Sequence, residues 1–574
     1  MKKFKILLLG ALSLSLSVQA QNNNIITSRT YPQGYFRNPL NIPMDASGTF
    51  GELRSTHFHA GDDFRTQQRI GLPLHAAASG TVSRIRVQIG GGGNSVYIDH
   101  PNGFTSVYLH MDAFNNVLTN LVRAEQYKQQ RFDVDVFLPA GEVNITKGDL
   151  IGRTGNTGGS AGPHLHFEIR DTKTQHPLNP QLFGLRFKDN FNPTISGAML
   201  YDLTDSIFNE FTPRKALTVK NAGSGRYTLS QSSPIAVTGK FGLGINTVDS
   251  HRASGFRNGV YSIELFIDTK PISTVVFEEL DYNTSGAILS YIDYPYFKKT
   301  KAKIQKSFKD PGNPIEIFKT LNNNGIVELP EDKIYAVKYV VKDIAGNCSE
   351  LNFKIDYKKQ NAKPASAGLR GKLLAYNTKN TFTTDHIKIE IPKGVLYDNL
   401  DFVYKESAGP AGSYSALHEV HNPLIPLFSP YSLAIKVDQL PQHLEDKAII
   451  ASTTAGSIGG VYEDGWVKVN TKVFGNFYVT VDTIAPNITA RNLVNGKRVS
   501  QQSKIDFTIS DNFSGIQSFD GYIDGKWVLM EYDSKNRHLW HRFESALAKG
   551  EHTFKLVVKD WKDNEKVYQA KFIR

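Results

Sequence analysis

Short runs in which apolar and polar residues alternate recur along almost the whole chain. Residues 80–85 run Gly-Thr-Val-Ser-Arg-Ile, and residues 95–99 run Ser-Val-Tyr-Ile-Asp. This period of two is typical of half-buried strands. Turn sequences separate the runs, for example the four glycines at 90–93 and Pro-Asn-Gly at 101–103. The pattern therefore predicts a mainly β protein whose N-terminal part is an antiparallel sheet.

One segment departs from this alternation. Residues 116–131 carry Leu118, Leu121, Val122 and Tyr127 among polar residues, a spacing that predicts a short amphipathic helix. The helix falls inside an insertion at 113–146. Such an insertion could form a wall or lid beside a cleft, or it could be a packed decoration, and both interpretations stay open.

The strand-rich remainder contains an internal duplication. Three matches occur in the same order in both copies: Asp189, Pro193 and Ile195 with Asp482, Pro486 and Ile488; GVYSIELFID at 259–268 with GIQSFDGYID at 515–524; and KYVVKD at 338–343 with KLVVKD at 555–560. Repetition of this kind predicts two related β-sandwich modules of the immunoglobulin-like type, at 187–358 and 482–574. Residues 358–367 are predicted to be a linker, and residues 368–481 a further β module of different sequence.

The first twenty residues have the composition of a secretory signal peptide. Three lysines lie within the first five residues, an apolar run follows at 6–18, and Val-Gln-Ala occupies 18–20. This order predicts cleavage after Ala20. The apolar run is too short to span a bilayer and contains serines, so no transmembrane anchor is expected after cleavage. The mature protein is therefore predicted to be exported, and to be periplasmic, associated with the cell envelope or secreted.

The net charge limits the class of partner that is expected, and the cysteine content limits how the modules can be stabilised. The formal net charge is +11 and the isoelectric point is near 9.2, which suits an anionic polymer. Export argues against nucleic acid and favours an anionic polymer of the envelope. The single cysteine, Cys348, cannot form an internal disulfide, so hydrophobic cores must stabilise the modules.

Two separated motifs supply metal-ligand chemistry. His59 and Asp63 lie four residues apart, and about a hundred residues later His164 and His166 flank one leucine. Two histidines at this spacing face the same side of a strand. Two imidazoles and a carboxylate with an open fourth position are typical of a hydrolytic zinc site. Asp62 is expected on the opposite strand face and is left out of the set.

Neighbouring residues are interpreted more modestly. Arg54 and His57 could contact substrate or be plain surface residues, and the surface interpretation is favoured. The sequence His-Glu-Val-His at 418–421 imitates a zinc-peptidase helix, but its histidines are three rather than four residues apart. It is interpreted as a chance surface sequence in an accessory module.

Five motifs together resemble the lysostaphin and LytM type of zinc endopeptidases. In order along the chain they are His59-x-Gly-x-Asp63, Gly71-Leu-Pro-Leu-His-Ala-Ala-Ala-Ser-Gly80, Tyr108-Leu-His110-Met, Lys147-Gly-Asp-Leu-Ile-Gly-Arg-Thr-Gly155 and Gly162-Pro-His164-Leu-His166-Phe. The resemblance covers residues 50 to 175. It implies an antiparallel β-sheet metallopeptidase domain of the LytM, or duplicated hybrid motif, type at 32–186.

The resemblance also implies residue roles. His59, Asp63 and His166 would bind Zn²⁺, and His110 and His164 would be catalytic histidines that do not bind it. A site with three ligands leaves a position for water, whose pKa zinc can lower to about 7. Without a helix that supplies a glutamate, the general base and the donor to the oxyanion would be imidazoles. Which histidine takes which role stays open.

The implied function is hydrolysis of peptide cross-links in bacterial peptidoglycan by attack of a zinc-bound water assisted by two histidines. A periplasmic enzyme that cuts D-alanyl to meso-diaminopimelyl bonds is favoured over a glycyl-glycine bacteriocin, so the expected partners are peptidoglycan stem peptides. The β modules could position the domain, bind envelope proteins or occlude the cleft. Two alternatives remain: a non-catalytic LytM-type regulator that activates another wall hydrolase, and an adhesin or carbohydrate-binding protein.

Overall fold

The computed structural model describes residues 25–204, 207–251, 256–360, 369–543 and 547–574. The predicted signal peptide lies outside the described residues, as does most of the predicted linker. The prediction of a mainly β protein with antiparallel sheets is confirmed. Within the described ranges, no helix is both long and apolar enough to cross a bilayer.

The N-terminal part contains a large sheet and a small one. In the large sheet the strand order is β1-β2-β11-β6-β5-β4-β8, with β12 paired to β11 and β9 to β4, and the small sheet has the order β3-β10-β7. The strands of the two sheets are β1 (Ala46–Gly48), β2 (Asp62–Arg65), β3 (Pro73–His75), β4 (Gly80–Val87), β5 (Asn94–Asp99), β6 (Phe104–Met111), β7 (Ala113–Phe114), β8 (Val134–Phe137), β9 (Asn144–Ile145), β10 (Leu150–Arg153), β11 (His164–Asp171) and β12 (Pro177–Leu178).

Strand β11 lies at the centre of the large sheet, between β2 and β6. One face of β11 presents Leu165, Phe167 and Ile169, which are fully buried in the domain core. The alternating residues, beginning with His164 and His166, face the other side. The apolar half of the pattern therefore anchors β11 and leaves its polar half to form a site.

The helix predicted in the insertion is confirmed as α1 (Asn116–Gln129). Asn115 caps it by accepting a hydrogen bond from the Leu118 backbone N–H, and Gln130 ends it in the left-handed conformation. Leu118 and Val122 are buried. The helix packs against β4, β7 and β8.

The second part contains two sheets that share one core. Their orders are β14-β13-β18-β21 and β15-β16-β24-β23-β19-β20-β22, and β17 runs parallel to β24. The strands are β13 (Thr194–Asp202), β14 (Arg214–Leu217), β15 (Val219–Asn221), β16 (Arg226–Leu229), β17 (Ile235–Thr238), β18 (Phe241–Val248), β19 (Ser262–Ile267), β20 (Lys270–Val276), β21 (Gln305–Lys306), β22 (Phe318–Leu321), β23 (Lys333–Lys342) and β24 (Cys348–Lys358), with short helices α2 (Ile288–Tyr291) and α3 (Tyr294–Thr300).

The third part has its own core. Its sheets have the orders β25-β28, β26-β27-β31-β35-β34 and β29-β30-β36-β32-β33. The strands are β25 (Lys372–Leu374), β26 (Asn380–Thr383), β27 (Ile387–Ile391), β28 (Leu400–Phe402), β29 (Tyr404–Ser407), β30 (Leu417–Val420), β31 (Tyr431–Lys436), β32 (Ala448–Ser452), β33 (Gly456–Gly459), β34 (Val461–Glu463), β35 (Trp466–Thr471) and β36 (Gly475–Val481).

The C-terminal part is a smaller pair of sheets, ordered β37-β39-β43-β42 and β38-β45-β44-β40-β41. The strands are β37 (Asn487–Ala490), β38 (Lys497–Arg498), β39 (Lys504–Ser510), β40 (Ile516–Ile523), β41 (Lys526–Val528), β42 (Glu531–Asp533), β43 (His538–Arg542), β44 (Glu551–Asp560) and β45 (Glu565–Ile573).

The two copies of the duplicated sequence have the same strand pairing. In the second part β24, β23, β19 and β20 are consecutive neighbours, and in the C-terminal part β45, β44, β40 and β41 are. Both copies also have short strands parallel to their last strand, β16 and β17 on β24 in the first copy and β38 on β45 in the second. The immunoglobulin-like topology itself stays a prediction.

The first and second parts share hydrophobic contacts. Phe50 and Phe58, from the N-terminal part, lie in the core of the second part. Phe58 packs against Phe277 and Tyr291 at ring-centroid distances of 5.7 and 5.8 Å. Tyr261 is buried in the core of the N-terminal part in return. The two parts therefore hold each other in a fixed arrangement.

The C-terminal part contacts the N-terminal part of the chain. Ser534 donates a hydrogen bond to the Ile89 carbonyl at 3.4 Å, and the Lys535 ammonium donates to the Ser160 carbonyl at 3.0 Å. The rings of Trp527 and Tyr127 meet edge to face, with centroids 5.4 Å apart. These contacts support two loops, the glycine turn before β5 and the loop before β11.

The interpretation of residues 418–421 as a surface sequence is wrong. His418 lies on β30 and is fully buried, where its Nδ1 lies 2.8 Å from the Tyr404 hydroxyl. The segment is a strand that pairs with β29 and β36, so its histidines serve packing within the third part.

Phe58→Ala should destabilise the first two parts together. Phe58 is 1% exposed, and truncation of a buried phenylalanine costs about 3–5 kcal/mol. Chemical denaturation followed by fluorescence should show this loss in the transition that includes both parts. Ile70→Ala is the control, because Ile70 is 54% exposed and should change stability by less than about 0.5 kcal/mol. A similarly small effect of Phe58→Ala would contradict the shared packing.

Candidate metal centre and active-site cleft

Strand pairing assembles the candidate site from distant segments. In the β2–β11 pair, His166 lies directly opposite Asp63. In the β11–β6 pair, His166 lies opposite Leu109, beside His110. His59 precedes β2 in a loop that is held back against residues 51 and 52 by backbone hydrogen bonds. The structure thus brings together all five residues that were predicted from the sequence.

Three of these residues form a compact group of potential metal ligands. His59 Nε2 lies 3.0 Å from Asp63 Oδ1 and 2.9 Å from His166 Nδ1, and His166 Nδ1 lies 2.9 Å from the same Asp63 oxygen. All three side chains are buried. Asp62, the adjacent carboxylate, accepts a hydrogen bond from the Phe50 backbone N–H instead, as expected for the opposite strand face.

In His59 and His166, the outer ring nitrogen, which is the one that points away from Asp63, has a hydrogen-bond acceptor. His59 Nδ1 lies 2.9 Å from the Thr49 carbonyl, and His166 Nε2 lies 2.9 Å from Glu168 Oε1. These acceptors favour the tautomers that carry the proton on the outer nitrogen. The inner nitrogens then present lone pairs to the Asp63 carboxylate.

This donor set fits a zinc ion. Three acceptor atoms that face one another at about 3 Å repel unless a cation lies between them, and two ring nitrogens with one carboxylate oxygen are common zinc ligands. Ligands about 2.0–2.2 Å from a tetrahedral ion lie roughly 3.2–3.5 Å apart. The distances here are a few tenths of an ångström shorter, a difference that small side-chain rotations can supply.

The second oxygen of Asp63 is also held. Arg54 Nη2 donates to Asp63 Oδ2 at 2.8 Å, so the interpretation of Arg54 as a plain surface residue is wrong. Burial alone would raise the pKa of Asp63, but its contacts with His59, His164 and His166 hold that pKa well below the usual range. Asp63 is therefore a carboxylate at neutral pH.

His110 and His164 lie next to the ligand group, with ring centroids 4.8 Å apart. His110 Nδ1 lies 2.9 Å from the Thr157 carbonyl and His164 Nδ1 2.9 Å from the Gly162 carbonyl. Each contact favours a proton on Nδ1. Nε2 of His110 is then the atom that can accept a proton, whereas Nε2 of His164 lies 3.4 Å from Asp63 Oδ1. Burial, together with His166 and His164, lowers the pKa of His110 to about 3, so His110 is neutral.

The backbone conformation of His110 is unusual. Its φ is +61°, in the left-handed region that few residues other than glycine adopt. In regular alternation Leu109, the partner of His166, would face the site and His110 would not. The left-handed turn places both residues in the lining of the cleft. Strained backbone of this kind is concentrated at functional sites.

A second group of polar residues supports His166 from behind. Arg170 Nε donates to Glu168 Oε2 at 2.6 Å, and the Tyr282 hydroxyl donates to Glu168 Oε1 at 2.6 Å. Arg170 Nη2 also donates to the Tyr282 oxygen at 2.9 Å. Tyr282 belongs to the second part of the chain, so that part contributes directly to the support of a candidate ligand.

Sequence reasoning missed Arg54, Glu168, Arg170 and Tyr282. A signal for two of them was present, because Glu168 and Arg170 continue the period of two from His164 and His166 on the same strand face. Arg54 and Tyr282 have no such signal, since only tertiary packing brings them to the site.

The site opens into a cleft of about 1000 Å³. Five arginines contribute to its lining: Arg54, Arg65, Arg84, Arg86 and Arg170. Phe256 and Tyr282, both from the second part, form another portion of the wall. Helix α1 does not contribute to this lining, so of the two interpretations of the insertion the structure favours the packed one.

Comparison with known proteins matches two segments to family models. Residues 57–127 and 135–180 match the model described as peptidase family M23, and residues 371–482 match a Zu5-like domain. The two segments of the M23 match together contain all five predicted site residues. The Zu5-like match coincides with the third part of the fold.

Curated relatives match the same N-terminal region. A protein named as an uncharacterized metalloprotease from Haemophilus influenzae is 31% identical over 180 residues, which are 29% of this chain and 32% of the relative. A DD-carboxypeptidase/endopeptidase from Neisseria meningitidis is 30% identical over 156 residues, 27% of each chain. A peptidoglycan DD-endopeptidase from Vibrio cholerae is 28% identical over 149 residues, 25% of this chain and 28% of the relative.

The match thus spans about a third or less of the length of these relatives. The N-terminal part of this chain is accordingly a peptidase family M23 domain.

Proposed function

We propose that this protein is a zinc-dependent endopeptidase that hydrolyses peptide cross-links of bacterial peptidoglycan at the cell envelope. The observation that carries the proposal is the open group of His59, Asp63 and His166 with two further histidines beside it. A structural zinc site would have four protein ligands, whereas three ligands leave a position for water or substrate.

The metal would be held by His59 Nε2, Asp63 Oδ1 and His166 Nδ1. Zinc, when bound, supplies a Lewis acid that polarises a peptide carbonyl and acidifies water. Thr49 and Glu168 hold the two ligand imidazoles in the tautomer that leaves the inner nitrogens unprotonated. Arg54 fixes the orientation of the Asp63 carboxylate.

His110 and His164 would carry the proton transfers. Each has its Nδ1 engaged by a backbone carbonyl, so Nε2 is the atom that would accept a proton during attack on the scissile carbonyl. In His164 this atom lies 3.4 Å from Asp63 Oδ1 and would exchange that contact for the water. The imidazolium that results can donate the proton to the leaving amine. The two rings lie close enough to reach opposite sides of one peptide bond.

The cleft suits a peptide that carries carboxylates. Five arginines line the cleft. Arg54 and Arg170 are engaged by Asp63 and Glu168, but Arg84 and Arg86 share the single carboxylate of Asp135 and leave positive charge that would attract anionic groups of a stem peptide. The relatives whose names specify DD-carboxypeptidase/endopeptidase or peptidoglycan DD-endopeptidase activity support cleavage of a D,D bond. The alternative of a non-catalytic regulator is not favoured, because all five residues are present and arranged as a site.

His166→Ala should abolish zinc binding, whereas His110→Ala and His164→Ala should retain zinc and lose turnover by about 10²–10⁴-fold, the usual contribution of a general acid or base. Zinc content measured by mass spectrometry and the release of new amine termini from purified peptidoglycan separate the two outcomes. Loss of zinc from His164→Ala would show that the ligand assignment is wrong.

Glu168→Gln should weaken zinc affinity by about 10–100-fold, because an amide orients His166 less firmly and makes it a poorer donor than the carboxylate does. Competition with a chromophoric chelator measures the affinity without any assay of activity. Glu142→Gln is the matched control, since Glu142 is exposed. Equal affinities of Glu168→Gln and the wild-type protein would exclude this role of Glu168.

Digestion of purified peptidoglycan with the zinc-loaded protein should release stem peptides cut at the cross-link. Mass spectrometry of the muropeptides identifies the bond, and a D-alanyl to meso-diaminopimelyl cut is expected. A chain that binds one zinc and leaves every cross-link intact would refute the enzymatic proposal and favour the regulator.

A further inference from the structure

Both copies of the duplicated module carry three aspartates at the same positions of the fold. Asp189 and Asp482 lie six residues before Ile195 and Ile488, Asp249 and Asp511 directly follow β18 and β39, and Asp343 and Asp560 follow Lys342 and Lys559. We name these groups the first triad (Asp189, Asp249, Asp343) and the second triad (Asp482, Asp511, Asp560).

Strand register shows that the positions are equivalent. Val248, just before Asp249, pairs with Thr194, and Ser510, just before Asp511, pairs with Asn487. In both copies this partner directly precedes the matched isoleucine. Likewise Lys342 pairs with Ser262, and Lys559 pairs with Ser518. The two triads therefore occur at one place of a repeated fold rather than by coincidence.

Potential ligand atoms converge in each copy, from three aspartates in the second copy and from two aspartates and His251 in the first. One ligand atom from each member of the second triad lies within 4.8 Å of the others, and the same holds for Asp189, Asp249 and His251 in the first copy. The third aspartate is oriented alike in both: Asn347 donates through its backbone and side chain to Asp343, and Asn564 does the same to Asp560.

Within the part of the chain that the structure describes, one oxygen in each triad is buried without a hydrogen-bond partner. It is Oδ1 of Asp249 in the first triad and Oδ1 of Asp511 in the second. Asp249 is only 3% exposed. A buried carboxylate oxygen without a partner costs free energy unless a cation or donor meets it. Its recurrence at the equivalent residue indicates a ligand that both copies share.

Among the described residues, protein cations near the triads are few. His251 Nε2 lies 3.7 Å from Asp189 Oδ2, and the charges of Lys562 and Asp482 interact.

We propose that each triad binds a calcium ion, so that the chain holds two calcium ions in its accessory modules in addition to the metal of the M23 domain. Carboxylate oxygens are hard ligands that suit Ca²⁺, and Ca²⁺ accepts irregular geometry completed by backbone oxygens and water. Each ion would join the segment before the first strand to the ends of two other strands, and would thereby brace the entry of the module.

Equilibrium dialysis of the full zinc-loaded chain against Ca²⁺, with metals counted by mass spectrometry, tests the proposal. Two calcium ions per chain are expected, with affinities in the range of roughly 10⁻⁴–10⁻³ M that is usual for extracellular modules. Asp249→Asn and Asp511→Asn should each remove one ion, and the double variant both, while zinc content stays unchanged.

Asp268→Asn and Asp524→Asn are the matched controls. These aspartates also occupy equivalent positions in the two copies, in left-handed turns that asparagine tolerates, and should leave two calcium ions bound. Thermal unfolding checks that the variants fold, because Ca²⁺ should raise the midpoint of the wild-type protein but raise it less in Asp249→Asn and Asp511→Asn.

Absence of bound calcium at about 10 mM, ten times the weak end of that affinity range, would overturn the proposal. So would an equal calcium-induced shift of the midpoint in the wild-type protein and in the double variant. Preferential occupation of the triads by Zn²⁺ in competition with Ca²⁺ would overturn the assignment of the ion. None of these outcomes bears on the M23 site, whose zinc is counted separately.

Discussion

The pairing of β11 with β2 on one side and β6 on the other is the constraint on which the site depends. It sets His166 opposite Asp63 and beside His110, although these residues are far apart in sequence. The register is held by Leu165, Phe167 and Ile169 on the buried face of β11. A slip of one residue would bury the histidines and expose the apolar residues, so the hydrophobic core enforces the geometry of the polar site.

Much of this could be predicted from residue spacing. Alternation identified the β class, and the separation of His164 and His166 by one residue put both on one face. The same rule, applied two residues further, would have found Glu168 and Arg170. The position of His110 could not be obtained by alternation, because its left-handed backbone turns it toward the face that its neighbour would occupy. Arg54 and Tyr282 depend on how separate segments pack, which local pattern does not encode.

The accessory modules contribute residues to the wall of the cleft and to the support of its loops. Phe50 and Phe58 are core residues of the second part, Tyr282 and Phe256 form cleft wall, and Lys535 supports the loop that precedes β11. That loop leads directly into β11, which begins at His164. The Gly162 carbonyl, in the same loop, holds His164 Nδ1. The rim of the site is therefore shaped from three parts of the chain.

The hydroxyl of Tyr282 on Glu168 has a thermodynamic consequence. Glu168 orients His166, so the affinity for metal and the docking of the second part share one hydrogen-bond network. The two effects must be equal in free energy. If docking of the second part raises the affinity for metal, binding of the metal strengthens docking by the same amount. Where docking favours metal binding, a bound metal would in return hold the second part more firmly against the domain.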